Sequence, residues 1–406
     1  MRRNSPIGVL SRVSAALALT GTLVLAPVAV GGALAAWVVV TTIPVGYNPR
    51  GVAVDTDTHT VYVTSLTPSA VYVIDGTTVT TTIPVDPSLG GIAVNTATHT
   101  LYGASGTAVT VIDGPSTTVT GTIEMGTAVA EVAVDPGTNT VYVTSPDAHT
   151  VSALDGATET LLGTVDVGTT TQGLAVDTGT HTVYVSLPAS NAIASITGLT
   201  VSGTIAVGGS PHGVAVDPVA HTVAVTNAGD NTVSLVDALT GSVTATLGVG
   251  AGASGVAVDP TSGRAYVSNV NGGTVSVIDT AARTIIGTVS VPNAPDAIAA
   301  DSALGRVWVA AADGMSVSAL SDVPAGTPAP TGTLAPTATA APPPAHTGQA
   351  QPPPMSHPAL PATGSDAVLP LLVAVAFVLV GAVLLAFLRG RRRGGDRTND
   401  QDERRP

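Results

Sequence analysis

A short string of threonine, an apolar residue, a variable residue and a second apolar residue recurs seven times in this chain. The copies begin at positions 42, 82, 122, 164, 204, 246 and 288, so the spacing is 40 or 42 residues. Each copy is followed by a turn, by a segment such as GVAVD or GLAVD, and then by one such as HTVYVTS. A fixed period of this length indicates a repeat architecture, in which similar units pack side by side.

Each unit contains four short segments of alternating, mostly β-branched residues that are separated by turn residues. This pattern predicts a four-stranded antiparallel meander. Thr, Val and Gly dominate and strong helix formers are scarce, so we expect no helix between residues 36 and 321. Four strands in about 40 residues is the organisation of a propeller blade. The predicted fold class is therefore all-β, a seven-bladed β-propeller over residues 36–321.

The two ends of the repeat region complement each other. The seventh unit has only three strand segments, the last being SVSAL at 316–320. The segment WVVVTTIPV at 37–45 has no unit of its own, and it matches fourth segments such as TTVTTTIPV. We predict that this N-terminal strand completes the seventh blade and closes the ring, so that no sheet edge stays open.

The second segment of several units carries a related motif: YVTS at 62 and 142, YVSN at 266 and AVTN at 224. With these motifs, residues 37–320 resemble the YVTN-type β-propeller family. The resemblance implies a propeller fold. It implies no particular activity, because propellers host many unrelated functions.

The N-terminal segment has the organisation of a signal peptide. Residues 1–35 begin with arginines, continue with an apolar run and end in the small-residue pattern Ala33-Leu34-Ala35. Such a segment is removed during export, which makes Ala36 the predicted first residue of the mature protein. A retained N-terminal anchor is the alternative.

Three segments of different composition follow the repeats. Residues 322–359 are rich in Pro, Thr and Ala and cannot bury a core. As polyproline II, this predicted wall-spanning linker would reach about 120 Å. Residues 367–388 carry no charge, and as a helix they would span about 33 Å, enough to cross a bilayer. The arginine-rich tail at 389–406 predicts a cytoplasmic end.

A pentapeptide lies between the linker and the apolar segment, and it consists of Leu360, Pro361, Ala362, Thr363 and Gly364. Together with the apolar helix and the basic tail, it resembles the sorting signal of sortase-anchored surface proteins of Gram-positive bacteria. The resemblance implies cleavage by a sortase between Thr363 and Gly364, and covalent attachment of Thr363 to peptidoglycan. The protein is then expected to be exported and wall-attached, with a precursor held in the membrane by residues 367–388. A plain single-pass membrane anchor is the alternative.

The charge distribution excludes one class of partner. All 14 basic residues are arginine, and only Arg50, Arg264, Arg283 and Arg306 lie between residues 36 and 363, against 22 acidic residues. Such a surface repels phosphate backbones, so we expect no nucleic-acid binding.

The chain has no cysteine, which excludes disulfides, thiolate metal ligands and thiol nucleophiles.

Two repeated polar positions invite a metal-binding interpretation. One holds His59, His99, His181 and His221, with Asn139, Gly263 and Gly305 in the other units. His, Asn and Gly all tolerate a left-handed backbone, so we interpret this position as a turn. The other ends the inner strand and holds Asp55, Asn95, Asp135, Asp177, Asp217, Asp259 and Asp301, typical of Asx turns, with a calcium ring as the alternative. Equivalent positions point away from one another, so we predict no metal site and no cofactor.

Positions that depart from the repeat indicate the candidate binding surface. Immediately before the inner strand the seven units have Arg50, Gly90, Ala130, Gln172, His212, Ser254 and Asp296, and Glu131 replaces a glycine one position later. We expect these positions to surround the mouth of the central channel, where such folds bind ligands. The candidate ligand-binding residues are Tyr47, Asn48, Arg50, Gln172, His212 and Asp296. Variable, solvated loop residues are the alternative interpretation.

Three functions are compatible with this sequence. The first is a binding or adhesion module for an extracellular glycan, protein or surface partner. The second is an extracellular hydrolase or lyase in which Arg50, His212 and Asp296 form an acid–base group, provided they lie within hydrogen-bond reach. The sequence has no G-x-S-x-G, HExxH or P-loop motif, so no catalytic residue is assigned. The third is a structural surface component without a specific ligand.

Overall fold

The computed structural model describes residues 36–291 and 293–323. These residues form 28 β-strands and one single-turn 3₁₀ helix, Pro188–Ser190. The expectation of no helix between residues 36 and 321 is wrong at this one turn, where Pro188 fixes a φ suited to the first helical position. The predicted signal peptide, the linker beyond residue 323, the pentapeptide, the apolar helix and the basic tail lie outside the described residues. In the part of the chain that is described, no helix is long and apolar enough to cross a membrane.

The strands form seven four-stranded antiparallel sheets, which are the blades. The first strand is β1 (Ala36–Pro44), and blades 1 to 6 then follow in sequence order. Blade 1 contains β2 (Tyr47–Asp55), β3 (Thr60–Thr67), β4 (Ala70–Asp75) and β5 (Thr78–Pro84); blade 2 contains β6 (Ile92–Asn95), β7 (Thr100–Ser105), β8 (Ala108–Asp113) and β9 (Thr118–Glu124); blade 3 contains β10 (Val132–Asp135), β11 (Thr140–Ser145), β12 (Thr150–Asp155) and β13 (Thr160–Asp166).

The second half of the ring repeats this order. Blade 4 contains β14 (Leu174–Asp177), β15 (Thr182–Leu187), β16 (Ala192–Thr197) and β17 (Thr200–Ala206); blade 5 contains β18 (Pro211–Asp217), β19 (Thr222–Asn227), β20 (Thr232–Asp237) and β21 (Ser242–Gly248); blade 6 contains β22 (Ala253–Asp259), β23 (Arg264–Asn269), β24 (Thr274–Asp279) and β25 (Thr284–Ser290). Blade 7 contains β26 (Pro295–Asp301), β27 (Arg306–Ala311) and β28 (Ser316–Val323). The predicted seven-bladed, all-β propeller is confirmed.

The N-terminal strand closes the ring, as predicted. The strand order of blade 7 is β26, β27, β28 and β1, and β1 runs antiparallel to β28 with Ala36 opposite Val323. Strand β28 continues past residue 320 because Trp37 extends the pairing to Asp322. Each inner strand contacts the inner strand of the next blade, and β26 of blade 7 contacts β2 of blade 1. Every strand of the closed ring therefore lies between residues 36 and 323.

Blade 6 holds the closing strand through polar and aromatic contacts. The Arg264 guanidinium lies 3.1 Å from Asp322 Oδ2 and 5.3 Å from the centre of the Trp37 ring. The Trp37 ring in turn meets Tyr266 edge-on, with ring centres 5.0 Å apart. One arginine thus contacts both outer strands of blade 7, combining an ion pair with a cation–π contact.

The core is divided among the interfaces between blades. Seven clusters of buried apolar residues occur in the described residues, one between each pair of adjacent blades. The second strand of each blade is buried on both faces, and it carries the largest fully buried side chains of the described residues, Trp308, Tyr102 and Tyr266. Each blade therefore depends on both neighbours to cover its faces.

The glycine of GVAVD and the hydroxyl residue of YVTS act together to join neighbouring inner strands. A β-carbon on Gly173 would collide with the backbone carbonyl of His212 in the next blade. Ser186 Oγ accepts a hydrogen bond from Gly173 N at 2.8 Å and donates one to the His212 carbonyl at 2.6 Å. The same two bonds are formed by Thr64, Thr226 and Ser268. These bonds explain why the repeat combines glycine with Ser or Thr at these positions.

Candidate functional site at the mouth of the central channel

The inner strands surround a cavity of about 240 Å³ at one end of the channel. All seven blades contribute to its lining. Backbone and apolar groups form the wall, and the polar side chains in the lining are those of Arg50, Glu131, His212, Ser254 and Asp296. Four of these five positions are among the predicted departures from the repeat, but they lie within β2, β18, β22 and β26 and not before the inner strand, because the strand continues through a bulge. Glu131 is the departure one position later, directly before β10.

A β-bulge directs several of these side chains towards the channel. In blade 5 the register shifts between Pro211 and Val214, so one extra residue is accommodated around His212. Equivalent shifts occur between residues 49 and 52, 253 and 256, and 295 and 298. Bulges of this kind reorient individual side chains and are common beside functional sites. The repeat thus provides a regular strand while the bulge presents a variable residue.

One hydrogen bond connects polar side chains of blades 4 and 5, and another connects polar side chains of blades 6 and 7. The Gln172 amide nitrogen donates to His212 Nε2 at 3.0 Å, and Ser254 Oγ donates to Asp296 Oδ1 at 2.6 Å. With Nε2 as acceptor, the imidazole proton resides on Nδ1, which is the tautomer that can donate to the Ser254 carbonyl. Burial lowers the pKa of His212, although the charge of Asp296 and the Ser254 carbonyl oppose that change. His212 is therefore neutral near pH 7, with Nε2 hydrogen-bonded to the Gln172 amide.

Glu131 differs from the other polar residues of the lining. Its carboxyl is enclosed by protein although the residue retains some exposure inside the channel. The carboxyl packs over blade 2, where a β-carbon on Gly91 would collide with it. Burial raises the pKa of the Glu131 carboxyl to about 7, and the negative charge of Asp296 contributes to the rise. Among the hydrogen bonds of the described residues, none involves this carboxyl.

The structure separates the candidate residues into three groups. Arg50, His212 and Asp296 line the cavity as expected, and Gln172 contacts it through His212. Arg50 is exposed at the rim and forms no ion pair with any described residue. Tyr47 is 52% exposed, and Asn48 has the left-handed φ of 52°; neither lies in the lining. Sequence reasoning noted Glu131 and Ser254 as departures but did not select them as ligand-binding residues.

The proposed acid–base group is not linked by hydrogen bonds. Asp296 Oδ1 accepts from Ser254, and Nε2 of His212 accepts from the Gln172 amide. Within the described residues, Arg50, His212 and Asp296 form no hydrogen bond with one another. A general base needs a free lone pair within reach of a substrate proton, and the basic nitrogen of His212, Nε2, already accepts from Gln172.

The raised pKa of Glu131 predicts a stability that depends on pH. Between about pH 4.5 and 7 the folded chain binds more protons at this carboxyl than the unfolded chain, so stability falls as the pH rises through this range. We expect the free energy of unfolding of Glu131→Gln to exceed that of the wild type by about 3 kcal/mol at pH 8, and to equal it at pH 4.

Urea denaturation at both pH values would measure this difference. The exposed Glu124 in β9 offers a matched control, because Glu124→Gln changes the same chemical group far from the channel. Parallel pH profiles for the wild type and Glu131→Gln would contradict the prediction.

A second polar ring lies at the opposite ends of the inner strands. The histidine turn has the predicted left-handed backbone, with φ between 50° and 60° at all four histidines. The strand-end residues form Asx turns as predicted, as when Asp55 Oδ1 accepts from the Asp57 amide at 3.1 Å. Sequence reasoning missed that the two positions also bond between blades: His99 Nδ1 donates to Asp55 Oδ2 at 2.6 Å, and His181 bonds to Asp135 at 2.6 Å.

The residue types in this second ring change together at the two positions that contact each other across a blade interface. Asn95 carries an amide where most blades have a carboxylate, and its partner in the next blade is Asn139 rather than histidine, at 2.6 Å. His59 bonds to Asp301 at 3.1 Å, whereas His221 lies 3.9 Å from Asp177. These pairs are contacts between neighbouring blades, consistent with a structural role in joining them.

The interface between blades 5 and 6 lacks the histidine and is expected to gain stability from it. Asp217 is almost fully buried, and its Oδ2 has no hydrogen-bond partner, because the next blade has Gly263 at the turn. Gly263 has a φ of 63°, close to the 50–60° of the four histidines. A β-carbon at Gly263 would meet only Thr280, at 3.9 Å. A hydrogen bond to the buried Asp217 carboxylate is worth about 1.5–3 kcal/mol, and the left-handed backbone of a non-glycine residue costs about 1–2 kcal/mol. Gly263→His should therefore stabilise the fold by about 1 kcal/mol, measured by urea denaturation.

Gly305 provides the control for this substitution. It occupies the same turn in blade 7 with a φ of 60°, but Oδ2 of its counterpart Asp259 already accepts from Ser262 at 2.6 Å. Gly305→His should therefore gain much less than Gly263→His. Equal effects of the two substitutions would show that turn geometry, and not the bond to Asp217, determines the change.

No group of three or more His, Asp or Glu side chains able to hold a metal ion occurs within residues 36–291 and 293–323. Comparison with protein-family models and with curated proteins finds no match to this chain. The geometry of the channel mouth is therefore the main evidence on function.

Proposed function

We propose that this chain is an exported, cell-wall-attached β-propeller that presents the mouth of its channel to an extracellular glycan, protein or surface partner. One observation carries the proposal. Arg50, Glu131, His212 and Asp296 converge on a single cavity from four different blades, at positions where the repeat itself requires no polar side chain. Polar groups converging in a concave site are the usual basis of ligand binding.

The attachment to the wall is supported by the sequence. The signal peptide at 1–35, the Pro-rich linker at 324–359 and the LPATG pentapeptide with its apolar helix and basic tail occur in the order of a sortase substrate. In this proposal a sortase is a transient partner, peptidoglycan is the covalent one through Thr363, and the linker holds the propeller away from the wall. The YVTN-like repeats suit a surface protein without specifying its ligand.

The hydrogen bonding of the His212 ring favours binding over catalysis. Its basic nitrogen, Nε2, accepts a hydrogen bond from Gln172, whereas the Arg50 guanidinium and the Glu131 carboxyl have no partner among the described residues. Unpaired polar groups at the mouth can bond to a ligand without first breaking internal bonds. A hydrolase or lyase would require His212 to be released by its substrate.

An array of glycans and proteins probed with residues 36–323 would test the binding proposal. This fragment contains every strand of the closed ring. We expect ligands whose binding is lost with Arg50→Ala combined with Asp296→Ala, but is kept with the exposed substitution Arg283→Ala on another part of the ring. Binding that is equal in all three proteins would place the contact surface elsewhere, and no binding at all would favour a structural role.

Cell fractionation would test the attachment. Wild-type protein should be released by enzymatic digestion of the wall and not by detergent alone. Thr363→Ala should move almost all of the protein into the detergent-soluble membrane fraction, because the threonyl acyl group is needed for transfer. Thr337→Ala in the linker is the matched control and should stay in the wall fraction. Release of wild type and Thr363→Ala alike by detergent would indicate a plain membrane anchor.

A further inference from the structure

The inference concerns the chemical class of ligand at the channel mouth, and it rests on the proposed binding function. Glu131 is the starting point because its position is unusual within the repeat. Blades 1, 2, 4, 5 and 6 have a glycine at this place, and in blades 1, 4, 5 and 6 a β-carbon there would collide with the backbone of the next inner strand. Blade 3 instead places a carboxyl in the cavity and leaves it without a hydrogen-bond partner among the described residues.

Blade 3 also differs in how it meets the next blade. Thr144 Oγ1 accepts from the Glu131 amide at 3.0 Å, as its counterparts do in other blades. Within the described residues, however, it forms no second bond to the neighbouring inner strand, whereas Ser186 in blade 4 bonds to His212 O. Blade 3 thus has a carboxyl side chain where blade 4 has a glycine, and one hydrogen bond fewer from its hydroxyl residue to the next blade.

The charges around the cavity define what the carboxyl can bind. Four titratable groups face the mouth: Arg50 at the exposed rim, the neutral His212, and the carboxyls of Glu131 and Asp296. The two carboxyls are close enough for the charge of Asp296 to act on Glu131. Asp296 Oδ1 accepts from Ser254, which leaves Oδ2 available. Two acceptor-rich groups in one enclosed space repel each other unless a cation or a proton lies between them.

We propose that the channel mouth binds a protonated primary amine, with the ammonium group held between the carboxylates of Glu131 and Asp296. An ammonium offers three donors and a compact positive charge, which matches two carboxylates better than a hydroxyl does. Because the described residues hold no group of ligands suited to a metal ion, an organic cation fits this lining better. The cavity of about 240 Å³ admits an aminoalkyl group, such as the end of a side chain or of an amine-bearing polymer.

Binding of the amine must be coupled to release of a proton. Near pH 7 the Glu131 carboxyl is protonated in about half of the molecules, since its pKa is about 7. An ammonium stabilises the ionised form, so each binding event should release about half a proton at this pH. A hydroxyl or an anionic ligand would produce no such release, which makes the proton count specific to the proposed ligand class.

Titration calorimetry of the full chain in a non-ionic detergent would test the proposal with n-propylamine, n-propanol and propionate as probes of similar size. Repeating the propylamine titration in two buffers of different ionisation enthalpy gives the number of protons released. We expect propylamine to bind with release of about half a proton at pH 7, and the two other probes to bind at least about 10-fold more weakly.

Variants of the chain separate this site from the rest of the surface. Glu131→Gln should weaken propylamine binding by about 10-fold or more and abolish proton release, and Asp296→Asn should weaken binding similarly. Glu124→Gln, which changes an exposed carboxyl on β9, should leave both quantities unchanged. Absence of propylamine binding, equal binding of n-propanol, or full binding by Glu131→Gln would each overturn the amine proposal.

The outcomes also separate this inference from the proposed function. If propylamine does not bind but array ligands still require Arg50 and Asp296, the channel mouth is a binding site for another class of ligand. If propylamine binds as expected while no array ligand depends on the mouth, the amine site exists but does not serve as the contact surface for a partner.

Discussion

Deletion of Ala36–Pro44 is expected to abolish stable folding of the propeller. Without β1, strand β28 becomes an unpaired edge, and the clusters on both sides of blade 7 lose Ile43, Trp37 and Val39. An exposed, regular edge strand also promotes association between chains. We expect loss of the cooperative thermal transition and recovery of the protein as aggregates, measured by circular dichroism and size-exclusion chromatography.

A rearranged chain provides the control for this deletion. Because β1 is antiparallel to β28, the segment 36–45 can follow Val323 through a short turn and form blade 7 from four consecutive strands. This variant should fold, with hydrogen-exchange protection in β28 like that of the wild type. A deletion variant that keeps protected amides in β28 would show that the ring does not need its closing strand.

Gly173→Ala is expected to cost about 4 kcal/mol of unfolding free energy. The new methyl group would collide with the His212 carbonyl in the next blade, and the displaced strand would weaken two hydrogen bonds of Gly173 N, to His212 O at 3.1 Å and to Ser186 Oγ at 2.8 Å. Overpacking of this kind costs about 1–3 kcal/mol and each weakened bond adds about 1 kcal/mol. Urea denaturation of residues 36–323 would measure the loss.

Gly248→Ala is the matched control for this substitution. Gly248 ends β21, and a β-carbon there meets nothing within 4 Å. Its φ is also outside the left-handed range, so alanine can adopt the same backbone. We expect a change of less than about 0.5 kcal/mol, or a slight stabilisation. If Gly173→Ala costs as little unfolding free energy as Gly248→Ala, the strands near Gly173 can separate without penalty.

The fold was predictable because its information is local and repeated. The spacing of the threonine strings determines the number of blades, and the alternation within each unit determines its four strands. Even the closing strand was predictable, since WVVVTTIPV resembles the other fourth strands and blade 7 lacks one. Contacts that occur once were missed, such as the meeting of Arg264 with Trp37 and Asp322, because no periodic pattern encodes them.

The site was predictable only in part. Departures from the repeat identified Arg50, His212 and Asp296 as lining residues, because a side chain that the repeat does not need stands out against it. Tyr47 and Asn48 were selected from proximity in sequence, but the strand carries them away from the lining. The hydrogen bonds of the second ring could have been suspected from the joint occurrence of Asn95 and Asn139, which differ from the other blades together.

The closing strand also has a mechanical consequence. Strand β28, the last before the linker, is hydrogen-bonded on one side to β27 and on the other to β1, with Ala36 beside Val323. If the chain is tethered through Thr363 as proposed, tension from the wall enters the propeller at this strand. A pull along β28 must shear two ladders of hydrogen bonds at once, where a terminal strand paired on one side would resist with a single ladder. The residues that close the ring would thus also be the ones that resist flow and drag at a cell surface.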